Sequence, residues 1–413
     1  MKAISRQWLE RLPAPQGALE TVQEYGRNLL LNIGLPNNKL EAWRFTNTTH
    51  LENLVKLPLV QERDEITTIE SSEWADKSTN SFRIILNQYS QISDQVKLPK
   101  GIRKLSSQEI KKHIDHLPDE NLSHEDWAWA MNYATTSQIL ALHVDGQDLP
   151  TLEVIMPALK DTLSSTRLLI VLDKCAKLEL LQIALGSGNS AQSHLLEIHL
   201  GENSELNHGY VALGGGGASC LSNLAIKQEK GSDYALTMIQ KGWCLSRIEP
   251  RIIQLNGKSK TSLKGLQIST EKEQVATHSL VRFDGPEGYL NQLQKAAACK
   301  RSHSIFNGAI SVPKIAQKTN ASQLSRNLLL SDLARIDTKP ELEIVADDVK
   351  CSHGATVSQL QKEELFYMLS RGISSEQATS LLLKGYCQEI INSLPIEAGR
   401  WKILDKMLHN IKS

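Results

Sequence analysis

Cys351-Ser-His353-Gly354 sets a thiol and an imidazole two residues apart, donors that together suit iron–sulfur or zinc chemistry. Two donors do not close a metal site, so the remaining ligands would come from distant residues or from another subunit. The alternative is a small buried cysteine beside a turn histidine that bonds the backbone. His113-Ile-Asp-His116 also brings imidazoles and a carboxylate together and could bind a metal on a helix. A solvated, charged connector is the better reading, because ligands need a fixed outer shell to hold them. The run Gly214 to Gly217 invites a phosphate loop, yet no Lys-Ser or Lys-Thr follows it, and it reads as a turn between strands. There is no Walker motif and no GxSxG elbow, so neither ATP hydrolysis nor α/β-hydrolase chemistry is expected. Glu341 and Glu343 share one strand face. A β-helix carbohydrate-active enzyme would need two carboxylates facing one groove, about 5 to 9.5 Å apart, and a solvated face explains this pair without one.

The chain around these residues has 413 residues, with 46 Lys+Arg against 46 Asp+Glu. That balance argues against nucleic acid or an anionic membrane as the partner, since both are gripped through a basic excess. The N-terminus has no apolar h-region, and no run of about 18 apolar residues occurs. A soluble, cytoplasmic protein is expected. Its six cysteines form no CxxC pair, and in a reducing cytosol they should remain thiols.

Three regions position the candidate residues. Residues 1–135 are a helical or mixed region: Trp8, Leu9, Leu12, Leu19, Val22, Tyr25, Leu29 and Leu30 recur at helical spacing, Gly34-Leu35-Pro36 stops the run, and 126–135 is one more helix. Between them lies a short apolar run, Phe82 to Leu86. Residues 136–350 change to short alternating runs such as Arg167 to Leu172, Leu178 to Ile183, Leu195 to Leu200 and Leu342 to Val345. Turns fall at Asp173-Lys174, Gly201-Glu202-Asn203, Lys230-Gly231-Ser232, Gly257-Lys258-Ser259 and Gly285-Pro286. Their spacing of roughly 26 to 30 residues suits stacked rungs of two or three strands, and a β-sandwich fits the same pattern. Residues 351–413 return to helix, with a hairpin of Ser358 to Leu369 and Ser374 to Ile391 turning at Gly372, and a Ser374 cap with Gln377 three positions on.

Several segments together resemble the SufBD family, scaffold subunits of the SUF iron–sulfur cluster assembly machinery. They are Gly308-Ala-Ile-Ser-Val312, Ala316-Gln-Lys-Thr, Asn327-Leu-Leu-Leu, Lys339-Pro-Glu-Leu-Glu-Ile344, Ala346-Asp-Asp-Val349, Cys351-Ser-His-Gly-Ala-Thr356, Leu365-Phe-Tyr and Ser370-Arg-Gly-Ile373. Weaker echoes are Leu35-Pro36, Lys39, Glu41, Trp43-Arg-Phe-Thr46 and Met131-Asn132-Tyr-Ala134. The resemblance implies a mainly β fold, a right-handed parallel β-helix core with an N-terminal helical region and a C-terminal helical domain. It implies a non-catalytic scaffold that pairs through the β-helix with a SufB-like subunit and binds a SufC-like ABC ATPase through its C-terminal helices. Leu360, Phe366, Tyr367 and Ile373 are then candidate ATPase contacts, with packing inside the hairpin as their other role. His353 is the implied donor to a transient iron–sulfur cluster at the subunit interface, and Cys351 a second, conditional one. No cofactor is expected tightly bound in the isolated chain, and a homodimer is plausible there. The family's SufB subunits carry a cysteine near the position of Ala334 and an EHEAT-like run where this chain has Cys351 to Thr356. Both departures place the chain in the other branch.

Overall fold

Alternation with a period of two gives a strand one inward and one outward face, so a chain of short alternating strands can bury its apolar residues by coiling and stacking. The computed structural model, which describes residues 6–60, 74–89, 97–114, 126–409 and 411, does this as a parallel β-solenoid of about 8 turns. Successive strands alternate between two nine-stranded sheets. Thr151–Pro157 lies in one, Leu163–Leu172 in the other, and Lys177–Leu185 returns to the first. We name these the C-face sheet, running from Ser81–Ile85 to Lys350–Ser358, and the N-face sheet, running from Ile102–Lys104 to Arg335–Ile344. Apart from Ile102–Lys104, the named strands pair in parallel, which decides for the solenoid over the sandwich.

The five expected turns all belong to one corner of the coil. Cys175, Asn203, Gly231, Lys258, Glu287 and Lys318 stand there at φ of 59°, 56°, 73°, 57°, 59° and 61°. Each N–H donates to a carbonyl of the following coil, from Cys175 to Glu202 through Lys318 to Asp348. The corner is therefore a hydrogen-bonded ladder of its own. Its left-handed geometry recurs although only one of the six residues is glycine, and a side chain there costs about 1–2 kcal/mol.

Each sheet is also buried on its outer face. On the N-face sheet, Leu163, Ala191, Leu221 and Leu245 pack with Trp8, Leu30, Trp43, Trp127 and Ala130. The helices Glu20–Ile33 and Trp127–Thr135 cross closely at Gly26, where a Cβ would collide with Tyr133 and Ala134. Asn132 docks the second helix by donating to the carbonyls of Thr166 (3.3 Å) and Ser193 (3.0 Å). Beneath it lies a buried charge network. Glu249 accepts from Arg247, from Arg251 at 3.2 Å and from Trp129 Nε1 at 3.2 Å, and Arg251 also pairs with Asp126. Burial alone pushes the Glu249 carboxyl up, but Arg247 and Arg251 overcome it and hold the group down at about 2.

On the C-face sheet, Ile155, Ile183, Val211, Ile239 and Leu266 pack with Leu383, Cys387, Ile390, Trp401 and Met407 of the C-terminal helices. Buried Glu153 accepts from Trp401 Nε1 at 2.7 Å and from Arg400 at 3.2 Å. Lys295 donates to the Tyr386 carbonyl at 2.9 Å.

The structure departs from several expectations. The ladder takes in Ser81–Ile85 and Ile102–Lys104 before residue 136 and runs on to Ser358, so Cys351 to Thr356 lie within a strand rather than between a strand and a helix. The terminal coil has no neighbour to demand apolar residues, and its strand therefore lacks the alternating pattern. The hairpin helices are Lys362–Ser370 and Ser375–Ile391, and the Ser374–Gln377 capping box forms as expected. The second helix packs on the solenoid, while the first buries no side chain. His113 lies on the helix Ser107–Ile114, not in a connector, with its ring 4.8 Å from that of His199; His116 is outside the described residues.

Two outcomes follow from the corner and the charge network. Lys258→Gly should raise unfolding free energy by about 0.5–1 kcal/mol in urea denaturation, because glycine relieves the left-handed backbone. Glu249→Gln should lower it by about 3–5 kcal/mol at neutral pH by taking the carboxylate partner from the buried Arg247 guanidinium, while Arg251 keeps Asp126. Since the folded-state carboxyl sits below its unfolded value, the Glu249 contribution is complete above about pH 4.3 and is lost as pH falls toward 2. The wild type should therefore lose its margin over the variant in acid titrations.

Candidate functional site

The two ends of the solenoid differ. One is closed by the three-residue antiparallel strand Ile102–Lys104 and the five-residue Ser81–Ile85, short pieces that offer little edge. The other ends in strands of 10 and 9 residues, Arg335–Ile344 and Lys350–Ser358. Each is the last in its sheet, and no element pairs with its outer edge among the described residues. A row of unpaired N–H and C=O groups on long strands is a template for another chain.

His353 and Cys351 sit on this terminal coil, on the same inward row of Lys350–Ser358. Parallel register extends each inward position into a column through the solenoid. Cys351 continues a column of Leu206, Tyr234, Thr261, Leu290 and Ala321, and its half-buried side chain packs against the interior core. That burial raises the thiol above its usual range, with a backbone hydrogen bond at Ala321 opposing. It is therefore a thiol at neutral pH and a ligand only once deprotonated.

His353 ends a column of a different kind, which runs Leu152, Leu180, His208, Leu236, Leu263, Gln292, Gln323 and then His353. Aliphatic side chains give way to amides over the last coils. Gln323 Nε2 donates to Gln292 Oε1 at 2.9 Å, and Gln292 Nε2 donates to Ser279 Oγ at 2.8 Å. The His353 side chain is exposed and has no hydrogen-bond partner among the described residues. The structure thus brings Cys351 and His353 to one row at the open end but adds no third donor, and no group of three His, Cys, Asp or Glu suited to a metal occurs among the described residues.

Ala334 precedes Arg335–Ile344 at the N-face edge of the same coil. Glu341 is 2.7 Å from Lys339, and Glu343 accepts from Ser311 Oγ at 3.3 Å. The pair lies along one strand and does not form two walls of a groove. The run from Gly214 to Gly217 is a turn between strands beside the C-terminal helix, as expected.

The four candidate contacts separate. Phe366 and Tyr367 are 72% and 60% exposed, whereas Leu360 and Ile373 are half-buried at the two ends of the helix Lys362–Ser370. Phe366 and Tyr367 therefore do not form a hairpin core, because the apolar face of the second helix is spent on the solenoid. The segment from Leu35 to Thr46, to which the sequence assigned no task, is a staple. Arg247 stacks over Trp43 at 4.0 Å and donates to the Ala42 carbonyl at 2.7 Å, and Gln274 Nε2 donates to the Phe45 carbonyl at 2.8 Å. Glu41 reaches Lys339 of the terminal coil at 2.7 Å. Sequence reasoning missed Gln292 and Gln323; their only signal is a polar residue on an inward strand position one coil before the next.

Comparison with known proteins agrees with this architecture. The model of the SUF system FeS cluster assembly SufBD core domain matches residues 154–386, more than half of the chain. A SufBD family protein of iron–sulfur cluster assembly from Synechocystis is 29% identical over 391 residues, covering 89% of this chain and 86% of that protein. The iron–sulfur cluster assembly protein SufD of Escherichia coli is 36% identical over 157 residues, 37% of each chain, and SufD of Bacillus subtilis is 30% identical over 222 residues, covering 52% and 50%. The matched residues take in most of the parallel solenoid, and the chain belongs to the SufBD family of the SUF iron–sulfur cluster assembly system, as a SufD-like member.

Proposed function

We propose that this chain is a non-catalytic scaffold whose open solenoid end pairs with a SufB-like subunit and offers His353 to a nascent iron–sulfur cluster, the cargo of the assembly. The observation that carries the reading is the asymmetry of the solenoid. One end is closed by short strands, and the other leaves two long edges unpaired with an exposed imidazole between them. Edge strands of this length are protected in stable proteins, and a partner's strands are the natural cover. His353 supplies a neutral nitrogen donor and Cys351 a conditional thiolate, so the partner must complete the ligand set. In the absence of its partner the same edges allow the chain to pair with itself.

Energy enters from outside, because the sequence carries no Walker motif. Phe366 and Tyr367 project from a helix that buries no side chain of its own, and this is the docking surface for a SufC-like ABC ATPase, with Leu360 and Ile373 bracketing it. Aromatic anchors of this type dominate protein interfaces. The setting is the cytoplasm, where cysteines stay reduced; no helix among the described residues is long and apolar enough to cross a membrane. The second reading, a structural partner without metal contact, rests on the same edges and differs only at His353.

Co-expression with SufB- and SufC-like subunits separates the two. His353→Ala should leave complex recovery unchanged and cut iron and acid-labile sulfide at least about tenfold, since even an outer-shell partner of a ligand is worth about 10- to 100-fold. Unchanged sulfide in the variant complex would leave the structural reading alone standing. Phe366→Ser with Tyr367→Ser should weaken ATPase retention on a SufC-like column by about 2 kcal/mol or more, without shifting Tm. A lowered Tm would assign these rings to folding.

A further inference from the structure

Gln323 is 2% exposed, and its amide is only half used. Nε2 donates to Gln292 Oε1, while Oε1 is buried with no partner among the described residues. Native structures seldom leave such an acceptor open, because its desolvation is then uncompensated. Gln292 cannot fill it, since its own Nε2 is directed to Ser279 Oγ. On the opposite sheet the amide lies beside Gly308, which has no side-chain donor. Gly308 is required there, as a Cβ at that position would collide with the Gln323 amide. On the next strand, about 4.7–4.9 Å away, the residue in register with Gln323 is His353, on the same inward row.

We infer that Gln323 is a positioning residue for His353: the two side chains are not bonded in the structure, and a turn of the exposed ring toward the open Oε1 lets it accept one ring N–H, so that the other ring nitrogen keeps its lone pair and faces the open end of the solenoid. The inference rests on the reading of His353 as a cluster donor and adds what prepares it. An imidazole that binds metal commonly donates its second nitrogen's proton to a carbonyl, which fixes both tautomer and ring plane. Here the carbonyl is an amide anchored from below by a polarised row, Ser279, Gln292 and Gln323, so the ring orientation is set by the solenoid interior.

The test uses the full-length chain labelled with ¹⁵N-histidine, the His353 signals being identified by their loss in His353→Ala. Wild type should show a single neutral tautomer for His353 with a slowly exchanging ring N–H. Gln323→Met, close in volume but without an acceptor, should abolish that proton and mix the tautomers while leaving the other histidine signals in place. Gln323→Glu, which restores an acceptor, should bring it back. In the co-expressed complex, acid-labile sulfide should fall about tenfold with Gln323→Met at unchanged complex recovery, and recover with Gln323→Glu. An identical His353 tautomer and N–H exchange in wild type and Gln323→Met would overturn the inference and assign the open acceptor to a buried water. Full sulfide in His353→Ala would instead remove the donor reading, and the ring signals would still decide the hydrogen bond.

Discussion

In-register parallel stacking is the constraint on which everything else in this molecule depends. A residue's neighbours are the residues one coil before and one coil after it, 28 positions away between Leu152 and Leu180 and 31 between Gln292 and Gln323. Each inward position is therefore a column rather than a site, and a substitution is felt along the column. The corner obeys the same rule. Left-handed residues recur at Cys175, Asn203, Gly231, Lys258, Glu287 and Lys318 because each donates its N–H to the coil above. The hydrogen bonds of the stack outweigh the local cost of a side chain in that conformation.

A two-sheet coil with apolar outer faces has to be covered, and helices at the two ends of the chain do so on opposite sides. Both layers are fastened by charged groups taken out of water. Glu249 with Arg247 and Arg251 holds the N-terminal helices, and Glu153 with Arg400 and Trp401 holds the C-terminal ones. Buried pairs of this kind add little net stability over apolar packing, but losing one partner is severe, so they set which helix lies where.

What the layers leave uncovered is the functional part. The terminal coil, its exposed His353 and the unburied helix Lys362–Ser370 lie close together in sequence. The strand ends at Ser358 and the helix begins at Lys362, so the two are joined by a few residues of chain. The staple from Glu41 to Lys339 ties the N-terminal layer to the same coil.

Much of this was legible in the linear sequence because its signals are local. Strand runs such as Leu178 to Ile183, the corner turns, the stop at Gly34, the Ser374–Gln377 box and the pairing of Cys351 with His353 each depend on residues within a few positions of one another. The choice between solenoid and sandwich was not local, since it turns on whether strands pair in parallel across a coil. The strand character of Cys351 to Thr356 was hidden because an end coil needs no apolar alternation, and the sequence left Phe366 and Tyr367 between a contact surface and hairpin packing because the solenoid's claim on the second helix is invisible in sequence. Only the tertiary structure decided that His353 ends a column of amides and that Trp43 lies under Arg247. Sequence alone put the candidate donors Cys351 and His353 side by side, and the stacking of distant coils determined what stands behind them, because register across a degenerate repeat is set by packing and hydrogen bonding rather than by any short-range pattern.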